Sequence, residues 1–194
     1  MSVSERKRRI LFLDRDGTLI VEPEDEQIDS LDKLELVGGV IPALLRLRDA
    51  GYEFVLVSNQ DGLGTDSFPE ADFHPPQDKM RALFASQGIH FAAEHFDPSF
   101  ERDGSPNRKP GIGMVLDYMR SGELDLDDSW VIGDRDTDLQ LAENMGIGGL
   151  RVGDEGESWG DIAHRLVTRP RTAMVERNTR ETQIRVAVDL DGTG

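Results

Sequence analysis

The chain has 194 residues, enough for one domain with a sizeable core, and its formal net charge is -16. This acidic balance argues against nucleic acids and anionic membranes as partners, because both are themselves negatively charged. The chain has no Cys, which excludes a disulfide framework and a thiolate metal site. It has no apolar run of roughly 20 residues and no apolar signal region after its basic start, so we expect a cytoplasmic protein.

The first informative pattern is the apolar run at residues 10–13, which is followed by the string DRDGT at residues 14–18. Four apolar residues in a row are typical of a buried parallel strand. Side chains alternate along an extended segment, so Asp14 and Asp16 can project into the same space. Two carboxylates this close repel each other unless a cation lies between them, and oxygen ligands of this kind suit Mg²⁺.

A second unit of the same type follows along the chain. Apolar residues at helical spacing predict a helix over residues 39–50, and a buried strand is expected over residues 52–57. Ser58 and Asn59 come directly after this strand. A hydroxyl group and backbone N–H groups at a strand end can hold a phosphate oxygen, although Ser-Asn is also an ordinary way to open a turn.

The next segment, residues 61–76, contains two Gly and three Pro and is predicted to be a long loop. Pro75 and Pro76 are then expected to open a helix, because proline is favoured in the first turn. A weaker strand is predicted over residues 90–96, followed by a polar loop over residues 97–107.

The string Arg108-Lys109-Pro110 follows that loop, and a helix is predicted over residues 110–120 with Pro110 at its first position. A lysine just before a helix can reach back over the strand ends. There it would balance the charge of the acids and of a phosphate group. The alternative is an ordinary surface charge pair.

The last strong pattern is GDRDTD at residues 133–138, after an apolar strand predicted over residues 129–132. If a helix begins near Asp136, Asp134 lies just outside it and Asp138 can turn to the same side. Asp136 could instead be the N-cap of that helix. A further strand and a short helix at residues 158–167 complete an alternating pattern, which predicts an α/β fold with a doubly wound, mainly parallel, Rossmann-like sheet.

Taken in order, DRDGT, SN, RKP and GDRDTD resemble the four motifs of the haloacid dehalogenase-like phosphatases. The resemblance implies that family's sheet without a large cap domain. It implies that Asp14 is the nucleophile, Asp16 the general acid/base, and Asp14, Asp16 and Asp134 the ligands of Mg²⁺, with Asp138 behind them. It further implies that phosphate oxygens are bound by Thr18, Ser58, Asn59, Arg108 and Lys109.

Within this family, SNQDGLGTDSFPEADF and VIGDRDTDLQLAENMGI resemble the histidinol-phosphate phosphatases, which form the first half of a bifunctional histidine-biosynthesis protein. The expected substrate is therefore L-histidinol phosphate, a small phosphate monoester. Residues 169–194 resemble the beginning of the imidazoleglycerol-phosphate dehydratase half without its His clusters. We therefore expect a tail at residues 1–8, a phosphatase domain at residues 9–168, and a C-terminal stub at residues 169–194 through which copies could self-associate.

One departure concerns metal. Relatives of this phosphatase carry a Cys/His zinc loop before the third motif, whereas residues 95–107 contain one His and no Cys, so zinc is not expected. One alternative is a phosphatase of another monoester, such as heptose bisphosphate. Another is a receiver-like phosphoacceptor domain, which also gathers Asp residues, Mg²⁺ and a Lys but holds its phosphate without turning over a monoester. A second DxDGT string at residues 189–193 has no later motifs after it and is assigned to the stub.

Overall fold

The computed structural model describes residues 7–168, 172–178 and 183–189. Five parallel strands form its main sheet: β1 (Ile10–Leu13), β2 (Glu53–Asn59), β3 (Phe91–Asp97), β4 (Trp130–Gly133) and β5 (Gly148–Arg151). Their order is β3-β2-β1-β4-β5, so the direction of winding reverses between β1 and β4. Open α/β sheets bind ligands at such a switch point, beyond the carboxyl ends of the strands.

Within the described residues, the helices are α1 (Val40–Asp49), α2 (Glu70–Ser86), α3 (Leu116–Ser121), α4 (Asp136–Met145) and α5 (Trp159–Val167). Helices α1, α2 and α5 pack on one face of the sheet, and α3 and α4 pack on the other. Residues 14–39, between β1 and α1, contain one 3-10 helix at Leu31–Lys33 and no separate cap domain. The predicted doubly wound α/β fold is confirmed.

The four residues of β1 explain why the sheet is covered on both faces. Leu11 and Leu13 contribute to the core under α1 and α5, whereas Ile10 and Phe12 contribute to the core under α4. All four side chains are buried. An uninterrupted apolar strand of this kind is stable only where both of its faces are packed, which places β1 in the centre of the sheet.

The predicted start of the second helix was wrong, because α2 begins five residues earlier and contains Pro75 and Pro76. The prolines have no N–H group to donate to the carbonyls of Ala71 and Asp72, one turn before them. Ala71 and Asp72 are exposed, so water can solvate these unpaired carbonyls. Phe73, Met80 and Phe84 are buried along one face of α2 on both sides of the prolines. Burial of this face sustains the helix through a segment whose local sequence favours a break.

The predicted helix over residues 110–120 was also wrong at its beginning. A 3-10 turn covers Gly113–Val115, and α3 starts only at Leu116. The N–H of Gly113 donates to the carbonyl of Pro106 at 2.9 Å, and a Cβ on Gly113 would collide with Asn107. This close packing of loop backbone holds the segment outside a helix.

The C-terminal stub contributes two strands, β6 (Thr172–Asn178) and β7 (Gln183–Asp189), which pair with each other in an antiparallel sheet. Residues 169–171, 179–182 and 190–194 lie outside the described residues, as do residues 1–6 of the expected tail and most of the second DxDGT string. Among the described helices, none combines the length and the apolar character that crossing a membrane requires.

Trp159 joins α5 to the turn after β1, and its replacement measures how much this contact stabilises the fold. Its side chain is 1% exposed, and its indole N–H donates to the carbonyl of Thr18 at 2.9 Å. We expect Trp159→Ala to lower the free energy of unfolding by about 3–5 kcal/mol, measured by urea denaturation, because it leaves a large cavity and an unpaired carbonyl. The control Val167→Ala, on the same helix but exposed, should change it by at most about 0.5 kcal/mol. Equal losses in both variants would contradict this account.

Candidate active site

The turn after β1 places Asp14 at the switch point of the sheet. Asp14 is 6% exposed, and its N–H donates to the carbonyl of Ile132 on the neighbouring strand β4 at 3.0 Å. Gly17 has a φ of 69°, which favours glycine, and the carboxylate of Asp134 occupies the space that a Cβ would need. The glycine in DRDGT therefore allows the carboxylate from β4 to approach the turn from β1.

Lys109 lies between two carboxylates in the interior. Its Nζ atom is 2.7 Å from Oδ1 of Asp14 and 2.6 Å from Oδ1 of Asp138, and the residue is 4% exposed. Burial alone would lower the pKa of Lys109, but the two negative charges outweigh it and raise that pKa above its ordinary value. The ammonium group is therefore charged, as expected for a group that neutralises acids or a phosphate.

Asn59 holds the backbone of Lys109 in place. Its Oδ1 atom accepts the N–H of Lys109 at 2.9 Å, and its Nδ2 group donates to the carbonyl of Lys109 at 3.2 Å. Both polar ends of the Asn59 side chain are thus engaged by the loop that carries the lysine. The phosphate-binding role implied for Asn59 stays a prediction, and the geometry adds a positioning role.

Three carboxylates meet at the centre of the site. Asp14, Asp134 and Asp138 each offer an oxygen atom, and these oxygens lie within 4.8 Å of one another. Burial, followed by the charges of Asp14 and Asp138, raises the pKa of Asp134 to about 6. Since Lys109 supplies one positive charge to three acids, a divalent cation with oxygen ligands fits the remaining negative charge.

Helix α4 explains the placement of Asp138. Arg135, not Asp136, is the N-cap of α4, so the N-cap alternative for Asp136 was wrong. The N–H of Arg135 donates to Oδ2 of Asp138 at 3.2 Å, and the carboxylate of Asp136 instead contacts Arg151. Asp138 can be fully buried because its carboxylate accepts hydrogen bonds from this N–H and from the ammonium group of Lys109.

Asp16 is turned away from the three-carboxylate cluster. Its Oδ1 atom accepts from Arg15 at 2.7 Å, and its Oδ2 atom accepts from Nε2 of Gln60 at 2.5 Å. Burial raises the pKa of Asp16, the Arg15 charge opposes this, and the Asp14 charge adds to the rise. A carboxyl group held outside the cluster with a raised pKa is suited to carry a proton. The structure groups Asp138, and not the Asp16 carboxylate, with Asp14 and Asp134.

A cavity of about 610 Å³ lies at the carboxyl edge of the sheet, and of the remaining predicted residues Ser58 and Arg108 line it whereas Thr18 does not. Thr18 is fully buried, and its hydroxyl group donates to Oδ1 of Asp134 at 3.3 Å. Arg108 forms an ion pair with Asp61. The hydroxyl oxygen of Ser58 accepts from Gln60 at 3.0 Å. Six of the predicted residues line the cavity: Asp14, Asp16, Ser58, Asn59, Arg108 and Lys109.

Sequence reasoning missed a buried chain of hydrogen bonds behind Asp16. Arg15 is fully buried, and its Nε group donates to Oε1 of Gln77 at 2.9 Å. Gln77 in turn donates to Glu94 on β3 at 3.0 Å. The position of Arg15 between two acids was a signal for a charged partner of the site. Gln77 carried no such signal, because its place depends on α2 continuing past the two prolines.

The outer part of the cavity is rich in acids. Glu22, Asp25 and Glu26 lie on one side of it, and Asp61 and Glu101 also line it. Arg135 donates to Glu22 at 2.6 Å, and Lys33 donates to Asp25 at 2.6 Å. The lining of the cavity therefore combines these acids with three cations, Arg108, Lys109 and Arg135.

Two curated relatives match almost the whole of this chain. The chain is 54% identical over 186 residues to "Histidine biosynthesis bifunctional protein HisB" from Xanthomonas axonopodis pv. citri (strain 306), covering 94% of this chain and 50% of the relative. The protein of the same name from Stenotrophomonas maltophilia (strain R551-3) is 53% identical over 189 residues, covering 95% of this chain and 53% of the relative. The chain thus spans about half the length of these curated relatives.

A family model and solved structures give the fold family. The model described as "HAD-hyrolase-like" matches residues 106–177. The structure of D,D-heptose 1,7-bisphosphate phosphatase from B. bronchiseptica, complexed with magnesium and phosphate, has a TM-score of 0.72 and 30% identity, covering 82% of this chain and 98% of that one. A putative HAD-like phosphatase from Mesorhizobium loti shares the fold, with a TM-score of 0.69. The chain belongs to the haloacid dehalogenase-like phosphatases.

Proposed function

We propose that the chain is a Mg²⁺-dependent phosphatase that hydrolyses L-histidinol phosphate to L-histidinol and phosphate through an aspartyl-phosphate on Asp14. The observation that carries the proposal is the cluster of Asp14, Asp134, Asp138 and Lys109 at the switch point of the sheet, beside a cavity of about 610 Å³. Phosphoryl transfer requires mainly positioning and charge neutralisation, which this cluster supplies. The identity to the curated HisB proteins supports the substrate.

The metal-binding part of the proposal assigns Mg²⁺ to Asp14 and Asp134, with Asp138 beside them and the backbone carbonyl of Asp16 as a further oxygen ligand. The donor set supports this, because it consists of oxygen atoms only and carries more negative charge than Lys109 balances. Mg²⁺ would neutralise charge on the phosphate oxygens and orient the monoester toward the nucleophile.

In the first half-reaction, an oxygen of the Asp14 carboxylate attacks phosphorus in line with the ester bond. The bond between Asp14 and phosphorus forms as the bond from phosphorus to the alcohol oxygen breaks. Asp16 gives its proton to the departing oxygen, so the alcohol leaves neutral. Lys109 stays beside Asp14 and balances negative charge during the transfer.

In the second half-reaction, a water molecule attacks the phosphorus of the aspartyl-phosphate. Asp16, now ionised, takes a proton from that water, and the bond between Asp14 and phosphorus breaks. Phosphate is released and the Asp14 carboxylate is restored. Gln60 and Arg15 hold the Asp16 carboxylate in one orientation through both steps.

The acidic mouth of the cavity favours the named substrate over a sugar bisphosphate. L-histidinol phosphate carries an ammonium group, which Glu22, Asp25 and Glu26 can attract. A heptose bisphosphate carries a second phosphate group, which the same acids would repel. The solved heptose bisphosphate phosphatase makes that substrate the second candidate.

The experiment that tests the proposed function measures phosphate release from both compounds at equal concentrations with Mg²⁺. We expect kcat/KM for L-histidinol phosphate to exceed that for D,D-heptose 1,7-bisphosphate by at least about 100-fold, equivalent to about 2.7 kcal/mol. A preference for the heptose compound would overturn the substrate and keep the chemistry. Slow autophosphorylation without turnover of either compound would favour the receiver-like alternative.

Asp14 is the residue on which the chemistry depends. We expect Asp14→Asn to lower kcat at least about 1000-fold, because the amide cannot act as the nucleophile, while the circular dichroism spectrum stays that of the parent. Asp49→Asn removes the same charge from an exposed position at the end of α1 and serves as the control, with activity unchanged. Retention of activity within a few fold in Asp14→Asn would refute the assignment.

The metal requirement can be measured separately. We expect chelation with EDTA to abolish phosphate release and added Mg²⁺ to restore it, because Lys109 alone leaves the three carboxylates under-neutralised. Elemental analysis of the purified chain should find no stoichiometric zinc, since residues 95–107 offer no Cys. One tightly bound zinc ion per chain, or full activity after chelation, would contradict this prediction.

A further inference from the structure

Asp97 is a buried acid at the end of β3 that has no part in the proposed chemistry. It is 2% exposed, and its carbonyl accepts the N–H of Gln60 at 2.8 Å. A buried carboxylate is costly unless donors surround it. Its partners therefore indicate which part of the structure the carboxylate stabilises.

The hydrogen-bond donors to the Asp97 carboxylate all belong to the loop over residues 97–107. Oδ1 of Asp97 accepts the N–H of Ser99 at 3.0 Å and also the hydroxyl group of Ser99. Oδ2 accepts the hydroxyl group of Ser105 at 2.8 Å. One carboxylate thus binds both ends of the segment 99–105 and closes the loop on itself.

Ser105 connects the Asp97 carboxylate to the residues that precede Lys109. Its hydroxyl oxygen accepts the N–H of Asn107 at 3.2 Å, and its carbonyl accepts the N–H of Arg108 at 3.3 Å. The other end of the loop also contacts the arginine, because the guanidinium group of Arg108 donates to the carbonyl of Ser99 at 2.8 Å. A shift of this loop would therefore displace Arg108, one of three cations that line the cavity, whereas Lys109 is held separately by Asn59, Asp14 and Asp138.

We propose that Asp97 is a positioning residue for Arg108, and that its carboxylate is the internal anchor of the loop over residues 97–107. The loop contains one 3-10 turn, Glu101–Asp103, as its regular structure and has no Cys with which to bind a metal. Hydrogen bonds to a buried charge are strong enough to supply this order. The kinetic consequence rests on the proposed phosphatase function, whereas the loop anchor does not.

The test uses the full chain with Asp97→Asn, which keeps the size of the side chain but places an NH₂ group against hydroxyl donors. Asp49→Asn is the control, because it removes one charge from an exposed position outside the loop. Hydrogen–deuterium exchange is followed by mass spectrometry. We expect exchange over residues 98–109 to be at least about tenfold faster in Asp97→Asn than in the control, with β1 and α5 unchanged.

Steady-state kinetics with L-histidinol phosphate and with p-nitrophenyl phosphate supply the functional measurement. We expect KM to rise about tenfold in Asp97→Asn and kcat to change less than about threefold, because a displaced Arg108 binds phosphate less tightly while Asp14, Asp16 and Lys109 stay in place. A purely structural role would instead lower the active fraction, and hence kcat, at constant KM.

The exchange rates test the loop anchor, and the kinetic constants test the positioning role. Equal exchange in Asp97→Asn and Asp49→Asn would overturn the anchor, and faster exchange with an unchanged KM would overturn the positioning role. If Asp97→Asn does not fold, Ser105→Ala decides, since it should accelerate exchange in the same residues and unchanged exchange would refute the proposal. If exchange rises as expected but the parent chain hydrolyses neither compound, the anchor stands and the proposed function fails.

Discussion

The site depends on the buried contact between the ammonium group of Lys109 and the carboxylates of Asp14 and Asp138. A buried charge requires a partner, and here each of the three groups is the partner of another. Asp14 directly follows β1, Asp138 lies in the first turn of α4, and the lysine comes from a loop. This contact therefore holds together three segments that are far apart along the chain.

Around this contact, the surrounding polar groups mainly set orientation. Asn59 uses both of its polar ends to hold the backbone of Lys109. Asp16 is held by Arg15 and Gln60, and the chain of hydrogen bonds from Arg15 continues through Gln77. These bonds restrict the side chains to one geometry before a substrate binds, which is the condition for efficient phosphoryl transfer.

Two electrostatic regions of the cavity separate the two ends of a substrate. Lys109 lies beside the nucleophile and suits a phosphate group, whereas Glu22, Asp25 and Glu26 line another part of the cavity and suit a cation. A zwitterionic monoester matches this arrangement better than a molecule with phosphate at both ends. The placement of positive and negative side chains around the cavity supports the proposed substrate independently of the chain's similarity to its relatives.

The amino-acid sequence by itself determined the α/β class, the strands and the four polar strings, three of them at the carboxyl ends of strands and the fourth, RKP, after a loop. It could do so because buried parallel strands are uninterrupted apolar runs and because the strings have a specific order. The start of α2 before Pro75, the non-helical backbone after Pro110 and Arg135 as the cap of α4 were decided only in the tertiary structure. In each case long-range packing or a side chain from another segment outweighed the local preference. The partners of Arg15 and Asp97 belong to the same class, since a buried charge is stabilised by whichever donors and acceptors the folded chain brings to it.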